Sequence, residues 1–279
     1  YEIVRGSKKT DKESIKNDVA ACDAMIQRTV KVDREILKAG KNLKIVARHG
    51  AGYDNLDWRA ANELGVRTTY SPDTTTLSVA EFTIAAILNL AKRLKESEEL
   101  VRKGDFQKKF SLKGTDVAGK TLGIIGLGKI GKEVARKAAL GLDMKVISYV
   151  PRLEGKEIPE YIEIVSWEEL LQTSDYISLH VPGGEKNQGI ISKKEFAMMK
   201  KSASLIQVSR GGVVDEEALM EAIENGQIKG AAVDVFSEEP PKEDNPLLKL
   251  EQVMLTPHIG SNTVECMDRI ALDVAEDVH

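Results

Sequence analysis

Residues 122–131 read Leu-Gly-Ile-Ile-Gly-Leu-Gly-Lys-Ile-Gly. The apolar run 122–125 has the length of a buried strand, and Gly126, Gly128 and Gly131 follow it at GxGxxG spacing. Such a turn lets the chain reverse sharply at the first glycine, approach a pyrophosphate at the second, and pack a helix on the strand at the third. Apolar Ile130, Val134, Ala135 and Ala138 recur at helical spacing behind it. A helix is therefore predicted to start near Lys129, with Gly141 as its stop. Its first amides and positive dipole end, at Lys129 and Ile130, would face a phosphate. A lone GxGxxG is weak, and it is the strand before and the helix after that give it meaning.

Around this stretch the composition is that of an ordinary water-soluble chain. With 279 residues, two domains are expected. The net charge of -4, with 40 basic residues scattered rather than clustered, gives no reason to expect nucleic acid or an anionic membrane as partner. Cys22 and Cys266 stand in no metal-binding or nucleophile context and read as free thiols of a reducing compartment. No run approaches a membrane span and no signal sequence opens the chain, so a cytoplasmic location is expected and no metal is called for.

Upstream of the glycine turn, residues 1–4 read as a strand already under way. Apolar runs at 24–26, 43–47 and 66–69 alternate with helical patterns at 15–21, 35–39 and 58–64, the βαβαβ order of a parallel sheet. Between two of these elements lies the loop Arg48-His49-Gly50-Ala51-Gly52-Tyr53-Asp54-Asn55-Leu56-Asp57. The amides of Gly50, Ala51 and Gly52 are placed to hold a carboxylate, or the loop is a plain turn before an Asp57 N-cap. Residues 77–94 form one long helix signal, apolar on nearly every face and capped near Ser78. Downstream, strands at 145–149, 176–179, 204–208, 231–236 and 253–255 alternate with helices at 167–171, 193–199 and 216–225. A last helix spans 262–279.

Three strand ends in this second half carry reactive side chains: Arg210 in Ser-Arg-Gly-Gly, Glu239 in Ser-Glu-Glu-Pro, and His258 in Thr-Pro-His-Ile-Gly. A guanidinium binds a carboxylate through two parallel hydrogen bonds. An imidazole exchanges protons near neutral pH, and a carboxylate beside it favours its charged form. Together they suit reduction of a 2-oxo acid by a nicotinamide.

With these residues in place the chain resembles the D-isomer-specific 2-hydroxyacid dehydrogenases along nearly its whole length. The resemblance is carried by residues 48–57, Ser78-Val79-Ala80-Glu81, Leu127-Gly128-Lys129-Ile130-Gly131, Ser209-Arg210-Gly211-Gly212, Asp234-Val235-Phe236 with Glu239-Pro240, and Thr256-Pro257-His258-Ile259-Gly260. It implies an α/β fold of two doubly wound parallel-sheet domains, with a Rossmann-type cofactor domain, residues 77–261, inserted in a flavodoxin-like substrate domain, residues 1–76 and 262–279. It implies Arg210, Glu239 and His258 as the catalytic set, Asp234 on the nicotinamide carboxamide, and Gly50 to Gly52 on the substrate carboxylate. It places Val181, Val208, Gly260 and Ser261 around the cofactor. The partner is then a small 2-oxo or 2-hydroxy acid, and the helix at 77–94 helps build a homodimer. Dinucleotide-sensing corepressors resemble the same pattern, so a binding protein is the alternative.

Two departures stand out. The family commonly begins with a further strand and helix and continues past the last helix, so a chain cut short at both ends is expected. The second is at the end of strand 145–149. An NAD site places an acid on the ribose hydroxyls there, whereas this chain reads Val150-Pro151-Arg152. Val150 accepts no hydrogen bond and repels no 2'-phosphate, and Arg152 is available to pair with one. NAD or NADP is therefore expected, with NADP(H) used at least as well.

Overall fold

A computed structural model of the chain describes residues 2–151, 155 and 157–279. Its elements, in order, are α1 (Lys12–Val19), β1 (Ala24–Gln27), α2 (Arg34–Ala39), β2 (Ile45–Arg48), α3 (Trp58–Glu63), β3 (Arg67–Tyr70), α4 (Thr76–Lys92) and α5 (Leu94–Arg102). There follow β4 (Thr121–Ile125), α6 (Lys129–Leu142), β5 (Lys145–Tyr149), β6 (Ile162–Ile164), α7 (Trp167–Thr173) and β7 (Tyr176–Leu179). The chain ends with α8 (Lys193–Met198), β8 (Ser204–Gln207), α9 (Glu216–Glu224), β9 (Gly230–Val233), β10 (Val253–Leu255) and α10 (Val264–Val278). It divides into two compact units, one of Tyr1–Thr75 with Asn262–His279, the other of Thr76–Ser261.

In the first unit three parallel strands pair in the order β1-β2-β3. Successive strand side chains point to opposite faces, and β2 shows the consequence. Val46 packs with Ile15, Ile36 and Leu37 of α1 and α2, while Ala47 packs with Cys266, Ile270 and Val274 of α10. Both sheet faces are thus covered, the second by the end of the chain. Aspartates start the short helices: the side chains of Asp11, Asp33 and Asp57 accept from Ser14, Ile36 and Ala60 amides at 3.0, 3.2 and 2.9 Å. Each such cap contributes about 1 kcal/mol.

The second unit is a seven-stranded parallel sheet, ordered β10-β9-β8-β7-β4-β5-β6. Chain order reverses between β4 and β7, and it is at such a switch point that open α/β sheets hold ligands. Leu205 and Ile206, neighbours on β8, are both fully buried and face opposite cores. One core is roofed by α4 and α6, the other by α7, α8 and α9. Among the described residues no helix is long and apolar enough to cross a membrane.

Several expectations are corrected. Residues 2–4 form no strand; Ile3 and Val4 are 89% and 69% exposed and pair with nothing. The long helix breaks at Arg93, whose left-handed backbone (φ 56°) ends α4 and starts α5, and Ser78 lies buried within α4 rather than capping it. Ala80, Ala86, Ile87 and Ala91 of α4 are buried against α6 and the sheet, while Val79, Phe82, Ile84, Leu88 and Leu90 stay partly exposed. Gly141 does not stop α6, which runs to Leu142 and ends at a left-handed Asp143, a residue type that tolerates this conformation. Strand β6 was unforeseen, and Val208, Val235 and Phe236 lie just past their strands.

Candidate active site

The glycine turn joins β4 to α6 at the switch point. Gly126 has φ 100°, and a Cβ there would come within 2.6 Å of the His180 carbonyl on the neighbouring strand end. A Cβ on Gly131 would meet the Gly126 carbonyl oxygen at 2.2 Å. These two glycines are required by the protein's own packing. Gly128 is not: a Cβ there meets nothing within 4 Å. The open space lies at the N-terminus of the 14-residue α6, whose N-cap is Gly128, a residue with no side chain to offer the first amides. This is the geometry that accepts a phosphate, so the residues present fit a dinucleotide.

The other expected cofactor positions ring the same sheet edge. Val181 follows β7, and Val150 and Val208, each 8% exposed, follow β5 and β8. Arg152 lies outside the described residues. His180 directly follows β7 and lies beside Gly126. Its Nε2 lies 2.8 Å from Ser178 Oγ, and burial pushes the imidazole down to about 3. It is therefore neutral at physiological pH and adds no charge to the cradle. Its signal in the sequence is a histidine directly after a buried strand at the switch point.

Glu239 and His258 meet. His258 Nδ1–H donates to Glu239 Oε2 at 2.8 Å, with Oε1 at 3.1 Å. A carboxylate only accepts, so this contact fixes the hydrogen on Nδ1 and leaves Nε2 to exchange a proton. Both side chains stay open to solvent, 47% and 37% exposed. Glu239 Oε1 also accepts from the Phe236 amide at 3.1 Å.

His258 has φ 52°, uncommon for a residue with a side chain. Asp234 holds it there. The His258 amide donates to the Asp234 carbonyl at 2.9 Å, while the buried Asp234 carboxylate accepts from Thr256 Oγ1 at 2.6 Å and from the Ile259 and Gly260 amides, both at 2.9 Å. Three of its roughly four acceptor positions thus hold the β10 loop. Ser261 ends that loop.

Arg210 lies on a turn after β8 that Gln207 braces. Gln207 Oε1 accepts from Ser209 Oγ, and its Nε2 donates to the Arg210 carbonyl, both at 2.8 Å. Arg210 itself donates from Nη1 to the Ser209 carbonyl at 2.8 Å. Gly211 presses the turn onto the base of the Glu239 loop, since a Cβ there would stand 2.1 Å from the Phe236 carbonyl oxygen. In the other unit, the Gly50–Gly52 loop folds over Arg48, whose Nη1 donates to the His49 carbonyl, and Gly50 takes φ 135°. Among the described residues no group of His, Cys, Asp and Glu is arranged to hold a metal ion.

Seven parallel strands, a glycine turn at the switch point and a helix start with glycine at its N-cap define a Rossmann-type dinucleotide-binding domain. Residues 84–260 match the family described as D-isomer specific 2-hydroxyacid dehydrogenase, NAD binding domain. The chain is 40% identical over 270 residues to a D-3-phosphoglycerate dehydrogenase of Archaeoglobus fulgidus, covering 96% of this chain and 51% of that protein. To a hydroxypyruvate reductase of Thermotoga maritima it is 38% identical over 280 residues, 99% of this chain and 90% of that one. A crystal structure of D-lactate dehydrogenase from Aquifex aeolicus with NAD and lactic acid superposes with a TM-score of 0.83 at 30% identity, covering 94% and 84% of the two chains. The chain belongs to the D-isomer-specific 2-hydroxyacid dehydrogenase family, and it spans about half the length of the phosphoglycerate dehydrogenase it matches.

Proposed function

We propose that this chain reduces a small 2-oxo acid to its D-2-hydroxy acid, and runs the reverse reaction, with NADPH or NADH. The observation that carries this is the His258–Glu239 pair at the strand ends of a dinucleotide-binding domain. The amides of Lys129 and Ile130 hold the pyrophosphate, and Val150, Val181, Val208, Asp234, Gly260 and Ser261 line the rest of the cofactor. When bound, the nicotinamide supplies the hydride.

The protein's side chains do the remaining work. Arg210 binds the carboxylate in a two-pronged hydrogen bond and polarises the adjacent carbonyl. His258 Nε2 delivers a proton to the carbonyl oxygen, and Glu239 stabilises the imidazolium that supplies it. Following NADPH or NADH oxidation as glyoxylate, hydroxypyruvate and related acids are added tests this reading. Turnover supports it; dinucleotide binding without turnover across the panel points to the corepressor-like role instead.

Val150 bears on the choice of dinucleotide. An aliphatic side chain after β5 gives the ribose hydroxyls no acceptor and a 2'-phosphate no repulsion. Steady-state rates are expected to show NADPH used at least as well as NADH, and Val150→Asp to shift the preference toward NADH by roughly 10-fold or more, the scale of one charged hydrogen bond. A strong wild-type preference for NADH would contradict this.

The homodimer expected from the helix at 77–94 draws further support from the segment after α4. Helix α5 and the 3-10 helix Phe106–Ser111 bury none of their residues, and Val101, Phe106 and Phe110 are 60%, 56% and 78% exposed. Exposed aromatic side chains lying close together, as Phe106 and Phe110 do on either side of Lys109, favour an interface. Light scattering is expected to give twice 30.7 kDa, with Phe110→Asp lowering the dimer fraction. A monomer at every concentration would overturn the assignment.

A further inference from the structure

Glu216 lies close to the catalytic loops without a role in the chemistry assigned above. Glu216 is the first residue of α9, and an acid in the first turn of a helix is favoured by the dipole alone. Here, however, both of its oxygens are engaged elsewhere. Oε1 accepts from the Ser237 amide at 2.6 Å, and Oε2 accepts from Asn245 Nδ2 at 3.0 Å. Ser237 and Asn245 are the two ends of the loop that carries Glu239.

Otherwise the loop is held by the bonds of Glu239 to the Phe236 amide and His258 and by the Asn245 amide donating to the Lys242 carbonyl at 3.0 Å. Residues 237–240 are all exposed, and the loop is anchored by buried Phe236 at one end and buried Leu247 at the other. Asn245 joins the second anchor, since its Oδ1 accepts from the Leu247 amide at 3.0 Å. Glu216 therefore bridges the loop at its neck. Three residues, 213–215, separate this acid from the turn bearing Arg210–Gly212, which already presses on Phe236 through Gly211.

We propose that Glu216 is a positioning residue for the reaction: it ties the Glu239 loop to the start of α9, and so fixes Glu239 against His258 and against the Arg210 turn. It does not touch the reacting atoms. Its effect passes through the Ser237 amide to the adjacent Phe236 amide, which Glu239 Oε1 accepts from, and thence to His258 Nδ1. The kinetic part of this inference rests on the function proposed above; the structural part does not.

Glu216→Ala and Glu216→Gln in the full chain test it. In Glu216→Ala, hydrogen exchange of the amides at 237–244 is expected to rise about tenfold or more as the loop is released to open locally. The kcat for a 2-oxo acid should fall roughly 10- to 100-fold, the scale of a small misplacement of catalytic groups, while the NADPH dissociation constant is unchanged. Glutamine keeps an acceptor for the Ser237 amide, so Glu216→Gln should recover most of both. If the alanine variant does not fold, Asn245→Ala removes one side of the bridge and is expected to show the same two effects in weaker form. Wild-type exchange and kcat in the folded alanine variant, or a kcat loss matched by equal loss of NADPH binding, would overturn the proposal. If the wild type turns over no 2-oxo acid, the proposed function fails, and the exchange measurement still decides the bridge.

Discussion

Replacing His258 with glutamine is expected to lower kcat for 2-oxo acid reduction by roughly 10²- to 10⁴-fold, the range in which positioned proton transfer contributes. Glutamine approximates the imidazole in size and keeps a donor for Glu239, so the loop is disturbed little, but it cannot give up a proton. NADPH binding should hold, because the pyrophosphate is assigned to amides at the start of α6. The left-handed backbone of His258 needs control. Its conformation is held by the Asp234 carbonyl and by the bonds of the Asp234 carboxylate to Thr256, Ile259 and Gly260, none of which involves the imidazole. A folded variant is therefore expected, and circular dichroism with a dinucleotide titration checks it. Turnover within about tenfold of wild type, against the range for proton transfer, would remove His258 from its role.

Arg210→Lys is expected to lower kcat/KM by roughly 10- to 100-fold, since one charge-assisted hydrogen bond of the fork is worth about 1.5–3 kcal/mol. An ammonium keeps the charge but not the planar two-pronged geometry, so the loss should fall more on KM for the acid than on NADPH binding. The turn itself should survive, because Gln207 holds the backbone of residues 209 and 210 through Ser209 Oγ and the Arg210 carbonyl. Steady-state kinetics on the folded variant measure both parts. A near-normal kcat/KM would show that charge alone suffices and that the fork is not used.

Much of this was legible in the sequence because parallel strands buried on both faces read as short apolar runs. Residues 122–125 and 176–179 are such runs, and the caps and glycines between them have local causes: Asp57 bonds three residues ahead, and Gly126 needs its positive φ. Elements whose reasons are not local were missed. β6 is Ile-Glu-Ile, too short to show a period. α5 and the 3-10 helix after it put their apolar side chains in solvent, so no core-facing stripe marks them. Residues 2–4 look like a strand in composition but have no neighbour to pair with. The reactive residues Arg210, Glu239 and His258 announced themselves by type and by following strands. The residues that hold them did not: Gln207, Asp234 and Glu216 act through contacts that only the folded chain creates, such as the 29-residue separation of Glu216 from Asn245.

In the proposed reaction this chain moves a hydride onto C2 of a 2-oxo acid. The measurement that tests it most directly uses NADPH carrying deuterium at the reducing carbon of the nicotinamide, with hydroxypyruvate as acceptor and the acid product analysed by mass and chirality. The account predicts deuterium at C2 of a D-2-hydroxy acid, formed one for one with dinucleotide oxidised. Oxidation with no deuterium in the acid, an L product, or dinucleotide bound and never consumed would contradict it.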